Sequence, residues 1–380
     1  MKRFIYITIA LSAIAVGCTK SNIVDVPQGV DTPITFDIYN GKTPLTKASE
    51  VTLETLQSSS TSAPAFYVKA IKNDGSLYME EPLWYATGDN LATAATETNY
   101  WDYEGTVYWP IDNTLTFMAY RPQMTFDPAS PTVGTFAIAP NAADQQDLIV
   151  ATPVKNATAA SGNVKLEFKH VLSRIGFKLE TVGTGVNVEI SEISFNGLFS
   201  NQGTVTLTNA PAIVSTSSTT TSYNFVTSTY TTEGKTPVST TSTGAIYNIT
   251  ATPAGTDLYM MIIPETLKYL TDESGYTDEH NLNGGGKCIP YITVKYKLGT
   301  AAESTEVDLP LVHNYGTTDT PKWNVWTFEA GKAYEFIFKV SIEKIEFTGE
   351  VVDWEEDHDG DPSKDSDKDG DPKKDDDIYL

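Results

Sequence analysis

From residue 30 onward, apolar and polar positions alternate with a period of two. Ile34, Phe36 and Ile38 alternate with Thr35 and Asp37. The same beat runs through Val107 and Trp109; Leu115, Phe117 and Ala119; Val164, Leu166 and Phe168; and Val188, Ile190 and Ile193. It returns in Tyr259, Met261 and Ile263; Ile292, Val294 and Tyr296; and Phe336, Phe338, Val340 and Ile342. Successive strand side chains point to opposite faces, so alternation rich in β-branched and aromatic residues marks half-buried antiparallel strands. Gly, Pro, Asn and Asp punctuate these runs at short intervals, as turns require. Helical periodicity is scarce and predicts only short helices over 50–56 and 89–95. The pattern therefore predicts an all-β chain with few short helices, and 380 residues are enough for two tandem antiparallel β-sandwiches.

A division is expected near residue 180. Residues 164–179 read as a strand, a bend at 170–173 and another strand, and 181–185 form a small-residue hinge. This sets an amino-terminal sandwich over 48–180 and a carboxy-terminal one over 181–354. Residues 215–222 are all Ser or Thr, and the chain stays Thr-rich with little apolar content to 243. A long exposed loop or hairpin tip is expected there.

The two ends differ from the body. Lys2 and Arg3 precede a nearly unbroken apolar run over 4–16, too short to span a bilayer comfortably, which reads as a secretory signal peptide over 1–17. It ends in Ala15-Val16-Gly17-Cys18, small residues before a cysteine, which is similar to a bacterial lipobox with Ala15 where leucine is commoner. Cys18 is the expected lipidation site, since its sulfur can take a diacylglyceryl group, and several acyl chains of the palmitate kind make a stable membrane anchor. At the other end, 353–380 carries 13 acidic and 4 basic side chains, so −9 of the net −23 sits there. A ten-residue repeat starts at Asp357 and again at Asp367, and 355–380 is expected to be an acidic, disordered extension. Asp365, Asp367, Asp369 and Asp376 match the spacing of a calcium loop, but Pro372 stands where a hydrophobic residue belongs. A solvated spacer is the simpler reading, with weak calcium association as the alternative and no other metal or cofactor implied.

Charge and residue types then narrow the function. A surface this acidic repels phosphate backbones, so no nucleic-acid partner is expected. Two cysteines, Cys18 and Cys288, exclude a disulfide scaffold or a Cys-rich zinc module. There is no nucleophile elbow, no His-Glu-x-x-His and no phosphate-cradling glycine loop. The four histidines, at 170, 280, 313 and 358, are scattered, and His170 reads as a hydrogen-bonded structural residue. Trp101, Tyr103, Tyr108 and Trp109 fit a core better than a sugar-stacking platform, and core is also favoured for Trp323 and Trp326. Cys288 reads as a buried thiol. No catalytic residue emerges, and an enzyme is not expected.

Four phrases carry a resemblance. They are Tyr108-Trp109-Pro110 leading into 115–122; Asp147 to Ala151 followed by Val164 to Arg174, with His170 and Ser173; Met260 to Pro264; and Trp326 with Ala330-Gly331-Lys332 and Tyr334. In order and spacing they resemble the fimbrillin-like (minor-fimbrillin-like, Mfa-like) lipoprotein pilins of Gram-negative anaerobes, with Glu265 where that family usually has glutamine. The resemblance implies transthyretin-like sandwiches and a structural, adhesive subunit of cell-surface fimbriae, exported as a lipoprotein to the outer membrane. It also implies that a trypsin-like protease cuts after a basic residue, here between Lys47 and Ala48, where the family often has arginine. The segment 18–47, with its first β-strand, would then leave. A strand from another fimbrial subunit would fill the groove, and 336–342 or 345–347 is the expected donor. The alternative is a monomeric outer-membrane lipoprotein that binds a glycan or a host or bacterial surface ligand through its Thr-rich loop and aromatics.

Overall fold

The computed structural model describes residues 32–39, 51, 53–87, 99–183, 187–208, 212–225, 229–240, 244–249, 259–267, 276–278, 281–282, 290–314, 323–341, 345–353 and 378–379. Among them, β-strands dominate, and the only α-helix is Leu53–Gln57. The second expected helix, at 89–95, lies outside the described residues.

Three large sheets carry the fold. The first runs in the order Phe36–Tyr39, Val164–His170, Ile149–Ala151, Leu115–Arg121, Phe66–Lys72, Leu77–Thr87 and Asn99–Asp102. The second runs Ser239–Thr240, Gly244–Asn248, Ser173–Val182, Lys332–Val340, Ile345–Asp353 and Ile378–Tyr379. The third centres on the 19-residue strand Val188–Thr206, which pairs with Tyr291–Leu298, Ala212–Asn224, Tyr230–Thr231 and Ser130–Ala137. Among the described residues, strand pairs are antiparallel except at two places: Phe36–Tyr39 runs parallel to Val164–His170, and Ser173–Val182 runs parallel to Lys332–Val340. Parallel neighbours need long crossovers, and both pairs join segments far apart in sequence.

Apolar side chains collect in two cores. One holds Ile34, Phe36, Phe66, Trp101, Trp109, Phe117 and Leu166, among others, all from the first sheet and its loops. The other fills the space between the second and third sheets, where Phe177 stacks on Phe338 at 5.7 Å and meets the edge of Phe195. Leu115–Arg121 serves both. Leu115, Phe117 and Ala119 face the first core, while Met118 and Tyr120 face the second. Burial on both faces explains why this strand reads as a continuous apolar run.

The chain passes from one core to the other at 170–172, because Val171 and Leu172 already lie in the second core and Ser173–Val182 is central to the second sheet. The expected division near 180 thus falls inside that strand, and Ser130–Ala137, from the first half of the chain, pairs into the third sheet. The Ser/Thr run is not a loop: Ala212–Asn224 is a 13-residue strand. Threonine's branched β-carbon suits a pleated backbone, and an outer strand needs no second apolar face. Within the acidic extension, Ile378–Tyr379 forms a short strand against Thr348 and Gly349.

Candidate functional site

The first strand and its seat form the candidate site. At Thr32 to Ile34 the backbone pairs with the loop preceding Leu115. Ile34 N–H donates to Val107 C=O at 2.9 Å, and Trp109 N–H donates to Thr32 C=O at 3.0 Å. The chain then crosses over. Val164 N–H donates to Thr35 C=O at 2.8 Å, and Phe36–Tyr39 continues in parallel register from Phe36 opposite Val164 to Tyr39 opposite Glu167.

The alternation seen in the sequence decides which side goes inward. Ile34 (0% exposed) and Phe36 (3%) enter the first core, and Ile38 packs at its rim. The Phe36 ring meets Tyr103 and Phe117 edge-on, at 5.9 and 5.8 Å. The Tyr103 hydroxyl donates to Ile34 C=O at 2.9 Å, and burial raises its pKa above the usual phenol value. On the outer face, the Thr35 hydroxyl donates to Asn163 Oδ1 at 2.5 Å, and Asn163 Nδ2 donates to Asp37 at 3.3 Å. Among the described residues, Phe36–Tyr39 is the terminal strand of its sheet, with Val164–His170 on one side only.

A second cluster gathers the sequence phrases at the joint between the cores. Asp147 Oδ2 lies 2.7 Å from His170 Nδ1 and accepts Val51 N–H at 3.0 Å. Asp147 is 2% exposed. Ser173 donates to Glu329 C=O at 2.8 Å, and Gly331 N–H donates to Leu172 C=O at 2.9 Å. Gly331 has φ +68°, and a β-carbon there would sit 3.1 Å from His170 C=O, so the position requires glycine. Met261 N–H donates to Gln145 Oε1 at 2.6 Å. The Asp147, His170, Met261 and Gly331 phrases, read separately in the sequence, thus meet in one place. The cleft beside them, about 360 Å³, is lined by Val51, Tyr67, Arg121, Gln145 and Asp147. Arg121 there donates to the Ala65 and Pro64 carbonyls, so the polar groups bind the chain to itself.

His170 is thus hydrogen-bonded and structural, as its sequence context suggested. Trp101, Tyr103, Trp109 and Trp326 are all buried, whereas Tyr108 is 45% exposed. The side chain of Trp323 is outside the described residues, as are Cys18, Lys47, Ala48, His280, Cys288, His358, Asp365, Asp367, Asp369 and Asp376. Of the two segments expected as donor, the first lies deep in the fold. Phe336, Phe338 and Val340 are fully buried, and Lys332–Val340 is paired on both sides, so donating it would open the second core. Sequence reading missed the Val51–Asp147 contact, because nothing local to either residue signals a partner 96 positions away.

The sequence profile of the fimbrillin-like family matches residues 46–354, most of the chain. The match begins one residue before Lys47 and leaves the first strand outside it. No curated protein matches. A fimbrial protein from Bacteroides vulgatus superposes with a TM-score of 0.51 and 16% identity, covering 85% of this chain and 99% of that one. The tip fimbrial protein Mfa3 from Porphyromonas gingivalis covers 76% of this chain and 93% of its own length, with a TM-score of 0.36 and 11% identity. The first of these likenesses supports the all-β fold, and the family is one of structural fimbrial proteins of the cell surface, not of enzymes. With a profile match across four-fifths of its length, the chain belongs to the fimbrillin-like family.

Proposed function

We propose that this chain is an adhesive structural subunit of cell-surface fimbriae, joined to other subunits by strand exchange. In this reading Cys18 carries the lipid that anchors the precursor at the outer membrane. Cleavage between Lys47 and Ala48 then frees the first strand, and an extended segment of a neighbouring subunit takes its seat. The observation that carries the proposal is the burial of Ile34 and Phe36 in a strand that sits at the edge of its sheet.

The energetics favour refilling. Loss of the strand uncovers apolar surface worth about 1.5–3 kcal/mol per large side chain and leaves buried backbone groups that cost about 1–3 kcal/mol each. A foreign strand with the same alternation restores both contributions, as β-strand addition does in other assemblies. Because Lys332–Val340 serves the second core, a donor from the carboxy-terminal region has to come from the sheet's margin, where Ile378–Tyr379 pairs on one side. The acidic repeat, with Asp365, Asp367, Asp369 and Asp376, is then a solvated spacer with at most weak calcium association.

The test is the mature amino terminus of surface fibres by mass spectrometry. Ala48 as the first residue is the expected outcome, and an acylated Cys18 on every assembled subunit would refute processing-driven assembly. The alternative, a monomeric glycan binder, draws less support, since three of the four aromatics proposed as a platform are packed inside.

A further inference from the structure

Strand Ala212–Asn224 is paired on one side with Val188–Thr206, from Ala212 opposite Thr206 to Asn224 opposite Ser194. Among the described residues, no strand pairs with its other side, and only Asn224 makes a bridge there, to Asn141. The pairing is irregular around Ser215 and Ser217, so the uninterrupted open run is 217–223. An open edge is a template for another strand, and sheets usually defend it with short length, charge or proline.

The other sheet edges among the described residues follow that rule. Phe36–Tyr39 and Asn99–Asp102 have four residues each, including an aspartate, and Thr305–Pro310 carries Glu306, Asp308 and Pro310. Ala212–Asn224 breaks it, with thirteen residues, no charge and no proline. Val214 on this strand is also 63% exposed.

We infer that this edge pairs with the same edge of a second copy, antiparallel about a two-fold axis at Thr220. Two properties select the occupant. The first is charge. Each copy carries −23, so copies repel except along a surface without carboxylates, and 212–224 has none. The second is symmetry. Residues 218–222 read Ser-Thr-Thr-Thr-Ser in both directions, so antiparallel self-pairing sets Ser218 opposite Ser222 and Thr219 opposite Thr221. A two-fold contact requires self-complementarity of this kind. The inference rests on the edge alone and does not depend on cleavage or strand exchange.

Sedimentation of the full chain without its signal peptide, over a range of concentrations, tests it. The expected result is a reversible dimer, with Thr220→Lys, which puts two like charges on the axis, weakening association about tenfold or more. Thr220→Val should leave it intact. Hydrogen exchange of the unaltered protein gives a second readout independent of any variant: amides of 217–223 should exchange more slowly at high concentration. A monomer at every concentration, a dimer indifferent to Thr220→Lys while its thermal unfolding is unchanged, or exchange independent of concentration would each overturn the inference.

Discussion

Asp147 does more than its place in a short phrase suggests. One carboxylate oxygen receives the Val51 amide, where the chain rejoins the fold after the expected cleavage site, and also faces His170 at the joint between the cores. Asp147→Ala would take this acceptor from the Val51 amide and the carboxylate from half-buried His170. It should lower stability by about 1–3 kcal/mol, read from denaturant unfolding. Buried tyrosines set the alkaline limit. Burial raises the phenols of Tyr230 and Tyr334 to about 12 and also pushes those of Tyr120 and Tyr223 upward. The folded state thus holds these protons more tightly than the unfolded chain, whose phenols titrate near 10. Their contribution is full below pH 10 and is lost as pH rises towards 12. Tyrosinate absorbance should therefore lag exposed phenols and rise together with the loss of β-structure. The sequence marked Asp147, His170 and Gly331 as noteworthy, but their meeting was not legible, since long-range partners leave no local periodicity.

Period-two alternation located the strands well, because a half-buried strand must place every second side chain in the core. It failed at Ala212–Asn224, where an outer strand asks only for a compatible backbone. The passage from one core to the other leaves no mark in the pattern for a related reason: Leu115–Arg121 and Ser173–Val182 are nearly continuously buried and advertise no boundary. The first strand was legible in full. Phe36→Ala should destabilise the uncleaved precursor by about 3–5 kcal/mol, and a chain starting at Ala48 lacks the residue and cannot show that loss. Gly349 tests the second core. A β-carbon there would lie 2.7 Å from the Trp326 ring and 3.0 Å from Phe336, both buried. Gly349→Ala should cost about 1–3 kcal/mol by calorimetry.

At the level of the whole molecule, the joint keeps the two cores together while the first strand stays at the margin. Cleavage should therefore disturb the first core and spare the second. Limited trypsin treatment of the precursor should give a chain starting at Ala48 in which amides of 164–167 exchange faster, while those of 332–340 keep their protection. Lys47→Ala should block that change and keep subunits from forming fibres, as seen by electron microscopy.

The parallel register of Phe36 with Val164 also has a bearing on time. The two strands are separated by well over a hundred residues, with Thr35 and Asn163 128 apart. During synthesis the first strand emerges long before Val164–His170, its sheet partner among the described residues, exists, and closing so long a loop is slow. It must wait unpaired while the rest of the first core gathers. This early piece of the chain is thus the last to be seated, and any extended apolar segment nearby competes for the same vacancy before it closes.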